Sequence, residues 1–192
     1  MQSSIPLIEI YANGTSWELV PGGSDALSYF GGPNVGYLGS EVDLPGAVIH
    51  HVATINVAKF GPGNIALGFS VPLLYGICHE GCELTYRKTA PAAVQITSLE
   101  PQAAEDGYPY HGYPAVLPYY PLGVAGSESY EVRDLEDRIA NTGWKTREGC
   151  LYAVVMQHPS IGHCLFTPNA DAEIVFEYDL QKGTVRATNQ CS

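Results

Sequence analysis

The sequence predicts an α+β fold that is predominantly β, with antiparallel or mixed sheets of short strands and one main amphipathic helix near residues 127–142. Composition is the first reason, because the 192 residues include 21 glycines, 14 prolines and 13 tyrosines. Such usage favours short strands joined by sharp turns over long helices. Hydrophobic periodicity is the second reason, because most patterned segments alternate with a period of two and only one has helical spacing.

The length of the chain predicts a single domain over residues 1–192, long enough to bury a sizeable apolar core. A second division would be two β-rich lobes, at about 1–99 and 143–192. A Tyr/Pro-rich segment and the helix, together residues 100–142, would then join the two lobes. Both divisions remain open at the level of the sequence.

Alternation of apolar and polar residues defines the predicted strands. In chain order they are 5–11, 17–20, 47–57, 65–69, 93–99, 150–157, 164–167, 173–179 and 184–188. Asn13 and Gly14 predict a tight turn after the first strand. In the strand 47–57, alternation points one of His50 and His51 toward the core and the other toward solvent.

The stretch 70–87 is predicted to be the structural centre of the sheet. Its apolar run from Val71 to Cys78 indicates a buried strand, and residues 82–86 alternate as a return strand. Gly81 accepts a positive φ without steric cost, which suits a short loop between them. We therefore predict that the two strands pair as a β-hairpin.

Residues 100–125 differ from the rest of the chain because five tyrosines are interleaved with five prolines. Proline at this density excludes a helix and a central strand, so an extended segment outside the sheet is predicted.

The predicted helix follows at residues 127–141, where Ser127 or Ser129 can cap its first turn. Its apolar stripe consists of Val132, Leu135 and Ile139. Asp134 and Arg138, one turn apart, are predicted to form a supporting ion pair.

The formal net charge is −11, and it is concentrated in two regions. Residues 1–58 contain five acids and no lysine or arginine, whereas residues 100–137 contain eight acids and the single base Arg133. Nucleic acid and membrane are therefore not expected as partners, because both require a basic surface. A basic protein partner fits this charge.

The N-terminus has neither a basic region nor an apolar region of a signal peptide, and no apolar run has the length of a membrane span. Five cysteines, an odd number, are scattered at positions 78, 82, 150, 164 and 191. We therefore expect a cytoplasmic protein with reduced thiols and without a cofactor.

Cys78 and Cys82 have the residue types of half a zinc site, and the second pair could be His163 with Cys164 or His158 with Cys164. His163 and Cys164 are adjacent in sequence, and neighbours on a strand point to opposite faces. Simple packing of Cys78 and Cys82 at the hairpin is therefore preferred, and no metal site is predicted.

Cys150 with His158 or His163 has the residue types of a thiol nucleophile and its base. No local signature around Cys150 supports this combination. Motifs of serine hydrolases, zinc proteases and nucleotide-binding loops do not occur in the sequence. We therefore predict no catalytic residue.

Carboxylates and tyrosines around the predicted helix indicate a surface that binds a partner protein, because tyrosines on a rigid backbone favour such contacts. The residues assigned to this surface are Glu105, Asp106, Tyr108, Tyr110, Tyr113, Tyr119, Tyr120, Glu128, Glu131 and Asp134. In the alternative interpretation the tyrosines pack onto the core as a strap and the carboxylates are only solvated.

Residues 46–60, GAVIHHVATINVAKF, and 71–87, VPLLYGICHEGCELTYR, resemble the core of the DUF1963 (YwqG-like) proteins. In that family a patterned strand precedes an apolar strand that ends in a sharp turn, and residues 53–57 and 73–75 would occupy these places. The resemblance implies a β-rich α+β fold without established catalytic residues.

In its size, acidity and lack of motifs, the chain is also similar to the immunity proteins of bacterial polymorphic-toxin and type VI secretion systems. This resemblance implies a non-enzymatic protein that binds and neutralises a basic toxin domain, such as a nuclease effector, through an acidic, tyrosine-rich surface. The alternatives are a thiol- or zinc-dependent hydrolase and a β module that binds a small ligand or a peptide.

Overall fold

The computed structural model describes residues 5–23, 28–33, 36–44, 49–61, 67–79, 81–101, 114–158 and 172–191. Within these ranges the chain forms twelve strands and one α-helix, α1, at Val132–Arg138. The strands are β1 Ile8–Ala12, β2 Thr15–Pro21, β3 Tyr29–Phe30, β4 Tyr37–Ser40, β5 His50–Asn56, β6 Ser70–Tyr75, β7 Cys82–Ala90, β8 Ala93–Pro101, β9 Tyr120–Ser129, β10 Cys150–Val155, β11 Ala172–Asp179 and β12 Thr184–Cys191. Two 3-10 turns, Val57–Lys59 and Ala140–Thr142, follow β5 and α1.

The strands hydrogen-bond in the order β4-β8-β7-β12-β11-β10-β1-β2-β9-β3-β5-β6. Neighbouring strands are antiparallel except β4 and β8, which are parallel. The fold is α+β and predominantly β, which confirms the predicted class. The three C-terminal strands form a contiguous block in this order, in which β12 pairs with β7 and β10 pairs with the N-terminal strand β1.

Two apolar clusters cover the two faces of the central strands. The larger cluster includes buried residues of most strands, among them Ile10, Leu73 and Phe176. The smaller one lies under α1 and contains Leu135, Ile139, Tyr152, Val154 and Val175. β10 contributes alternate residues to both clusters, whereas β11 contributes only Val175 to the smaller one, because Glu173 and Glu177 occupy the neighbouring positions on that face.

The hairpin predicted for residues 70–87 is wrong. β6 pairs with β5, whereas β7 pairs with β8 and β12, so β6 and β7 are not neighbours in the sheet. Only Pro91 and Ala92 separate β7 from β8. This shorter connection forms the hairpin, because a two-residue loop closes an antiparallel pair at lower entropic cost.

Side chains rather than backbone ladders join β6 to β7. The Tyr86 hydroxyl donates to the carbonyl of Pro72 at 2.8 Å and accepts from the N–H of Leu74 at 2.9 Å. Lys88 is buried, and its Nζ donates to the carbonyl of Ser70. These bonds satisfy backbone groups along the outer edge of β6, which has no further strand beside it in the described sheet.

Replacing Tyr86 with phenylalanine is expected to lower the free energy of unfolding by about 2 kcal/mol, because it leaves a buried donor and a buried acceptor unpaired. Urea denaturation measures the change. Tyr178→Phe is the matched control, because the buried Tyr178 hydroxyl has no hydrogen-bond partner among the described residues and its loss should cost nothing. Equal effects of the two substitutions would contradict the role given to Tyr86.

Two predictions about residues 120–129 are corrected. These residues form β9, although the prolines predicted a segment outside the sheet, and Ser127 and Ser129 belong to this strand rather than to a helix cap. Pro121 is tolerated because its carbonyl still accepts from Gly22 N–H at 2.9 Å. Proline has no N–H to donate, but Pro121 lies opposite the position just after the last residue of β2. No hydrogen bond within the β2–β9 ladder is therefore lost.

α1 is shorter than predicted and begins after Glu131. The Asp134 carboxylate accepts from the N–H of Glu131 at 2.8 Å and completes a capping box. The predicted ion pair between Asp134 and Arg138 is therefore wrong, since Arg138 turns toward the sheet instead. No helix in the described part of the chain is long and apolar enough to cross a membrane.

Candidate functional site

A buried carboxylate lies on the sheet face that α1 covers. Glu177, on β11, has no exposed surface and accepts hydrogen bonds from three side chains. Arg186 donates through Nε at 2.7 Å and through Nη2 at 3.0 Å, the Tyr152 hydroxyl donates at 2.5 Å, and Arg147 donates through Nη2. Burial alone would raise the pKa of Glu177, but these donors outweigh it and lower the pKa, so the carboxylate stays ionised at neutral pH.

Arg138 connects α1 to the same sheet face. Its guanidinium forms a bidentate pair with Glu173 at 2.6 and 2.8 Å and donates from Nε to Glu9 at 2.8 Å. The Tyr11 hydroxyl donates to the same Glu9 oxygen at 3.0 Å, and Gln190 donates to Glu173 at 2.8 Å. One arginine therefore compensates two carboxylates on strands β1 and β11.

Beyond α1, the same face continues as an acidic groove lined by Glu9, Glu18 and Glu128 together with Tyr11 and Ser16. It encloses a cavity of about 230 Å³. Glu9 and Glu18 are directly opposite each other on β1 and β2, and Glu128 on β9 is opposite Ser16. Like charges in directly opposite positions destabilise a sheet, and the ion pair of Arg138 with Glu9 offsets part of this repulsion.

The groove and the face covered by α1 differ in whether their carboxylates are paired with arginines. Under α1 and the segment that follows it, Glu173 and Glu177 are each bonded to arginines of this chain. In the groove, Glu18 and Glu128 are exposed, and neither carboxylate forms an ion pair within the described residues. The groove thus holds negative charge that a cation from another molecule can neutralise.

The predicted partner surface is only partly described. Glu105, Asp106, Tyr108, Tyr110 and Tyr113 lie outside the described residues. Glu128, Glu131 and Asp134 are exposed near the end of β9 and the start of α1.

The two described tyrosines of that surface lie at the opposite end of β9. Tyr119 is 55% exposed and its ring packs on Tyr29 at 5.4 Å, whereas Tyr120 is half-buried against the main core. Eight residues along β9 separate Tyr120 from Glu128, which is about 27 Å of extended chain. The carboxylates and these tyrosines therefore do not form one compact patch.

Cys78 lies in the connection between β6 and β7, and Cys82 is the first residue of β7. Both side chains are buried. Burial raises the pKa of the Cys82 thiol to about 11, and it lowers the pKa of the neighbouring His79. Within the described ranges no three His, Cys, Asp or Glu side chains are placed to hold a metal ion. His163 and Cys164 lie outside these ranges.

Cys150 and His158 are not brought together. Cys150 begins β10, whereas His158 lies beyond the end of this strand and hydrogen-bonds through Nε2 to the carbonyl of Ile5 at 2.9 Å. The strand alone separates them by about 16 Å. Burial raises the pKa of the Cys150 thiol, which opposes formation of a thiolate nucleophile.

Both His50 and His51 are buried, so the prediction that one of them faces solvent is wrong. A bulge after His51 interrupts the alternation of β5, and the strand is covered on both sides. His51 bonds through Nδ1 to the carbonyl of Gly32 at 3.3 Å and through Nε2 to the Thr54 hydroxyl at 2.8 Å. Burial lowers the pKa of His51, which keeps the ring neutral at pH 7.

Sequence reasoning identified Glu128 as part of an acidic surface but missed the other residues of the groove and the two arginine networks. One signal was present, because Glu9 and Tyr11 alternate with the buried Ile8 and Ile10. A polar face of this kind on a central strand indicates polar contacts across the sheet. Comparison with protein-family models, with curated proteins and with solved structures finds no match for this chain.

Proposed function

We propose that this protein is a non-enzymatic, immunity-type protein of the cytoplasm that binds a basic toxin domain, such as a nuclease effector of a type VI secretion system, and neutralises it. The observation that carries the proposal is the acidic surface formed by Glu18, Glu128, Glu131 and Asp134, which are exposed and form no ion pair with other described residues. Nucleases bind polyanions through basic clefts, and an acidic surface can occupy such a cleft.

Electrostatic attraction would act mainly on the rate of association. Charges on complementary surfaces steer two proteins together and raise the association rate above that of neutral surfaces. Tyr119, at the other end of β9, supplies an exposed aromatic ring. An interface of standard size is roughly 30 Å across, so one partner can span both ends of the strand.

The hydrolase alternative has weaker support from the described residues. A thiol nucleophile requires a lowered pKa, whereas burial raises the pKa of both Cys82 and Cys150. The resemblance to the DUF1963 proteins stays a prediction. Residues 53–56 lie on β5 and residues 73–75 on β6, and these two strands pair in antiparallel fashion.

Charge reversal on this surface is expected to slow association with the product of the adjacent gene, if that product is the basic toxin. Glu18→Lys with Glu128→Lys is the best variant, because both residues are exposed carboxylates of the acidic surface and neither belongs to the capping box. Stopped-flow association at low salt should be at least tenfold slower than for the wild type. The difference should nearly vanish at about 1 M salt, where the Debye length is about 3 Å.

Glu83→Lys with Glu100→Lys is the matched control, since it changes the net charge equally on two exposed residues of β7 and β8. It should slow association much less. If the adjacent product does not bind, or if both double variants bind equally slowly, the proposed acidic interface is refuted.

A further inference from the structure

β9 has one free edge. Over residues 122–129 it pairs with β2, from Thr15↔Ser129 to Pro21↔Leu122. On its other side β3 pairs only with Tyr120 and Pro121. Residues 124–129, here called the free edge of β9, therefore have no neighbouring strand on that side within the described sheet.

The direction of the backbone groups along this edge follows from one hydrogen bond. Tyr130 N–H donates to Gly14 O of the connection between β1 and β2 at 3.1 Å, and residues 126–129 lie on the same side of the bulge as Tyr130. Backbone groups alternate along an antiparallel strand. The backbone of Glu128 thus points toward β2, whereas the N–H and C=O groups of Ser127 and Ser129 point outward from the sheet.

The free edge is also open to contact. Val124 is 45% exposed, and Ser127, Glu128 and Ser129 are exposed as well. Proteins commonly protect such an edge with charge or irregularity, and an edge that remains open is a template for another strand. Glu128 and the bulge opposite Glu18 and Leu19 are the protective features present here.

An added strand would extend the sheet face that carries the acidic groove. If the added strand is antiparallel to β9, its residue opposite Glu128 forms a non-hydrogen-bonded pair, in which Cα atoms are about 4.5 Å apart and side chains are closest. That side chain would lie on the same face as Glu128 and, one strand further, Glu18. Arg138 provides the precedent on the neighbouring part of this face, where its guanidinium is bonded to Glu9 and Glu173.

We propose that the free edge of β9 binds an extended, basic segment of the partner by strand addition, with an arginine of that segment opposite Glu128 and directed into the acidic groove. Main-chain hydrogen bonds to Ser127 and Ser129 hold the segment, and the guanidinium selects it by bonding to carboxylates. The cavity of about 230 Å³ is smaller than typical small-molecule sites of about 300–1,000 Å³, which suits a single side chain.

The occupant is a basic partner rather than a second copy of this chain. The formal net charge of −11 opposes self-association, and a second β9 would bring another Glu128 to the acidic edge. The inference rests on the proposed function for the identity of its partner, but the edge itself can be tested separately.

The decisive variant is Ser127→Pro. It removes an outward N–H without removing a bond to β2, and proline is tolerated where the N–H faces solvent. Ser127→Ala is the matched control that keeps the N–H. The probe is a synthetic peptide that alternates arginine and threonine, followed by NMR shifts and amide exchange of the ¹⁵N-labelled protein.

The wild type and Ser127→Ala should bind the peptide with equal affinity and show slowed exchange at residues 127 and 129. Ser127→Pro should bind at least tenfold more weakly while its unfolding midpoint matches that of Ser127→Ala. Glu128→Gln should bind several-fold more weakly, whereas Glu83→Gln should not differ from the wild type. A peptide with citrulline in place of arginine should also bind more weakly, because it keeps the shape and loses the charge.

Equal affinity of the proline and alanine variants for the peptide would overturn strand addition and leave only charge attraction. Failure of the peptide to bind would also overturn strand addition. A concentration-dependent dimer that Ser127→Pro abolishes would overturn the basic partner, because a second copy of this chain would then occupy the edge. If the adjacent gene product binds Ser127→Pro as tightly as the wild type, the function stands and the edge proposal fails. If the peptide binds at the edge but the gene product does not bind at all, the proposed function fails alone.

Discussion

Replacing Glu177 with glutamine is expected to lower the free energy of unfolding by about 3 kcal/mol at pH 7, the lower end of the range for breaking a buried ion pair. The carboxylate is completely buried and accepts from Arg186, Arg147 and Tyr152. In glutamine an NH2 group replaces one carboxylate oxygen, so a hydrogen-bond donor would face the N–H and O–H donors of these three side chains. The lower end applies because the side chains of Arg186 and Arg147 are 33% and 47% exposed and can be rehydrated.

The pH dependence of this difference has a definite sign. The pKa of Glu177 is lower in the folded protein than its ordinary value of 4.5. The stability contributed by its ionised form is therefore complete above about pH 4.5 and is lost as the pH falls through the folded pKa. Urea denaturation at several pH values should show wild type and Glu177→Gln converging in acid.

Glu148→Gln is the control, because Glu148 is exposed and forms no ion pair within the described residues. Its effect should stay within about 0.5 kcal/mol, as is usual for surface substitutions. A Glu177→Gln variant as stable as Glu148→Gln, or a difference that does not change between neutral and acid pH, would contradict the role of the buried carboxylate.

Most strands could be predicted because a local pattern of apolar residues marks each of them. Residues 150–157, 173–179 and 184–188 were assigned from their apolar pattern, and β10, β11 and β12 lie there with ends shifted by up to three residues. Burial on one face or both imposes such a pattern wherever a strand lies. The turn at Asn13 and Gly14 was equally local, and both residues have the positive φ of a two-residue hairpin.

β9 could not be predicted because its stability comes from a distant strand. From residue 124 onward it is exposed on both faces, so no alternation marks it, and Pro121 argues against a strand. Its partner β2 lies about a hundred residues earlier in the chain. The same limitation affected residues 70–87, where the pairing of β6 with β5 and of β7 with β8 and β12 depends on which strands meet in space.

The site was less predictable than the fold. Glu128, Glu131 and Asp134 were recognised as acidic surface, and they are exposed. The spacing of Asp134 and Arg138 favoured an ion pair within the helix, but Arg138 finds stronger partners in Glu9 and Glu173 on two strands. A bidentate, partly buried carboxylate binds a guanidinium more strongly than an exposed neighbour one helical turn away.

Replacing Arg138 with methionine is expected to destabilise the protein by about 3 kcal/mol, because Glu173 would keep a largely buried charge without its cation. The Glu173 side chain is only 12% exposed, and Glu9 loses the same partner. α1 has seven residues, and a helix this short is not stable without packing. Hydrogen exchange should therefore accelerate first at the amides of α1, and urea denaturation should give the overall loss.

Arg133→Met is the matched control on the same helix. Arg133 is 85% exposed and its ion pair with Asp137 is long, at 3.8 Å, so its loss should cost less than about 0.5 kcal/mol. If both variants unfold at the same urea concentration, Arg138 is not what holds α1 to the sheet. If Arg138→Met loses exchange protection in α1 while β10 and β11 keep theirs, the Arg138 guanidinium is what holds the helix to the sheet. In the acidic groove beside α1, Glu18 and Glu128 have no such arginine among the described residues.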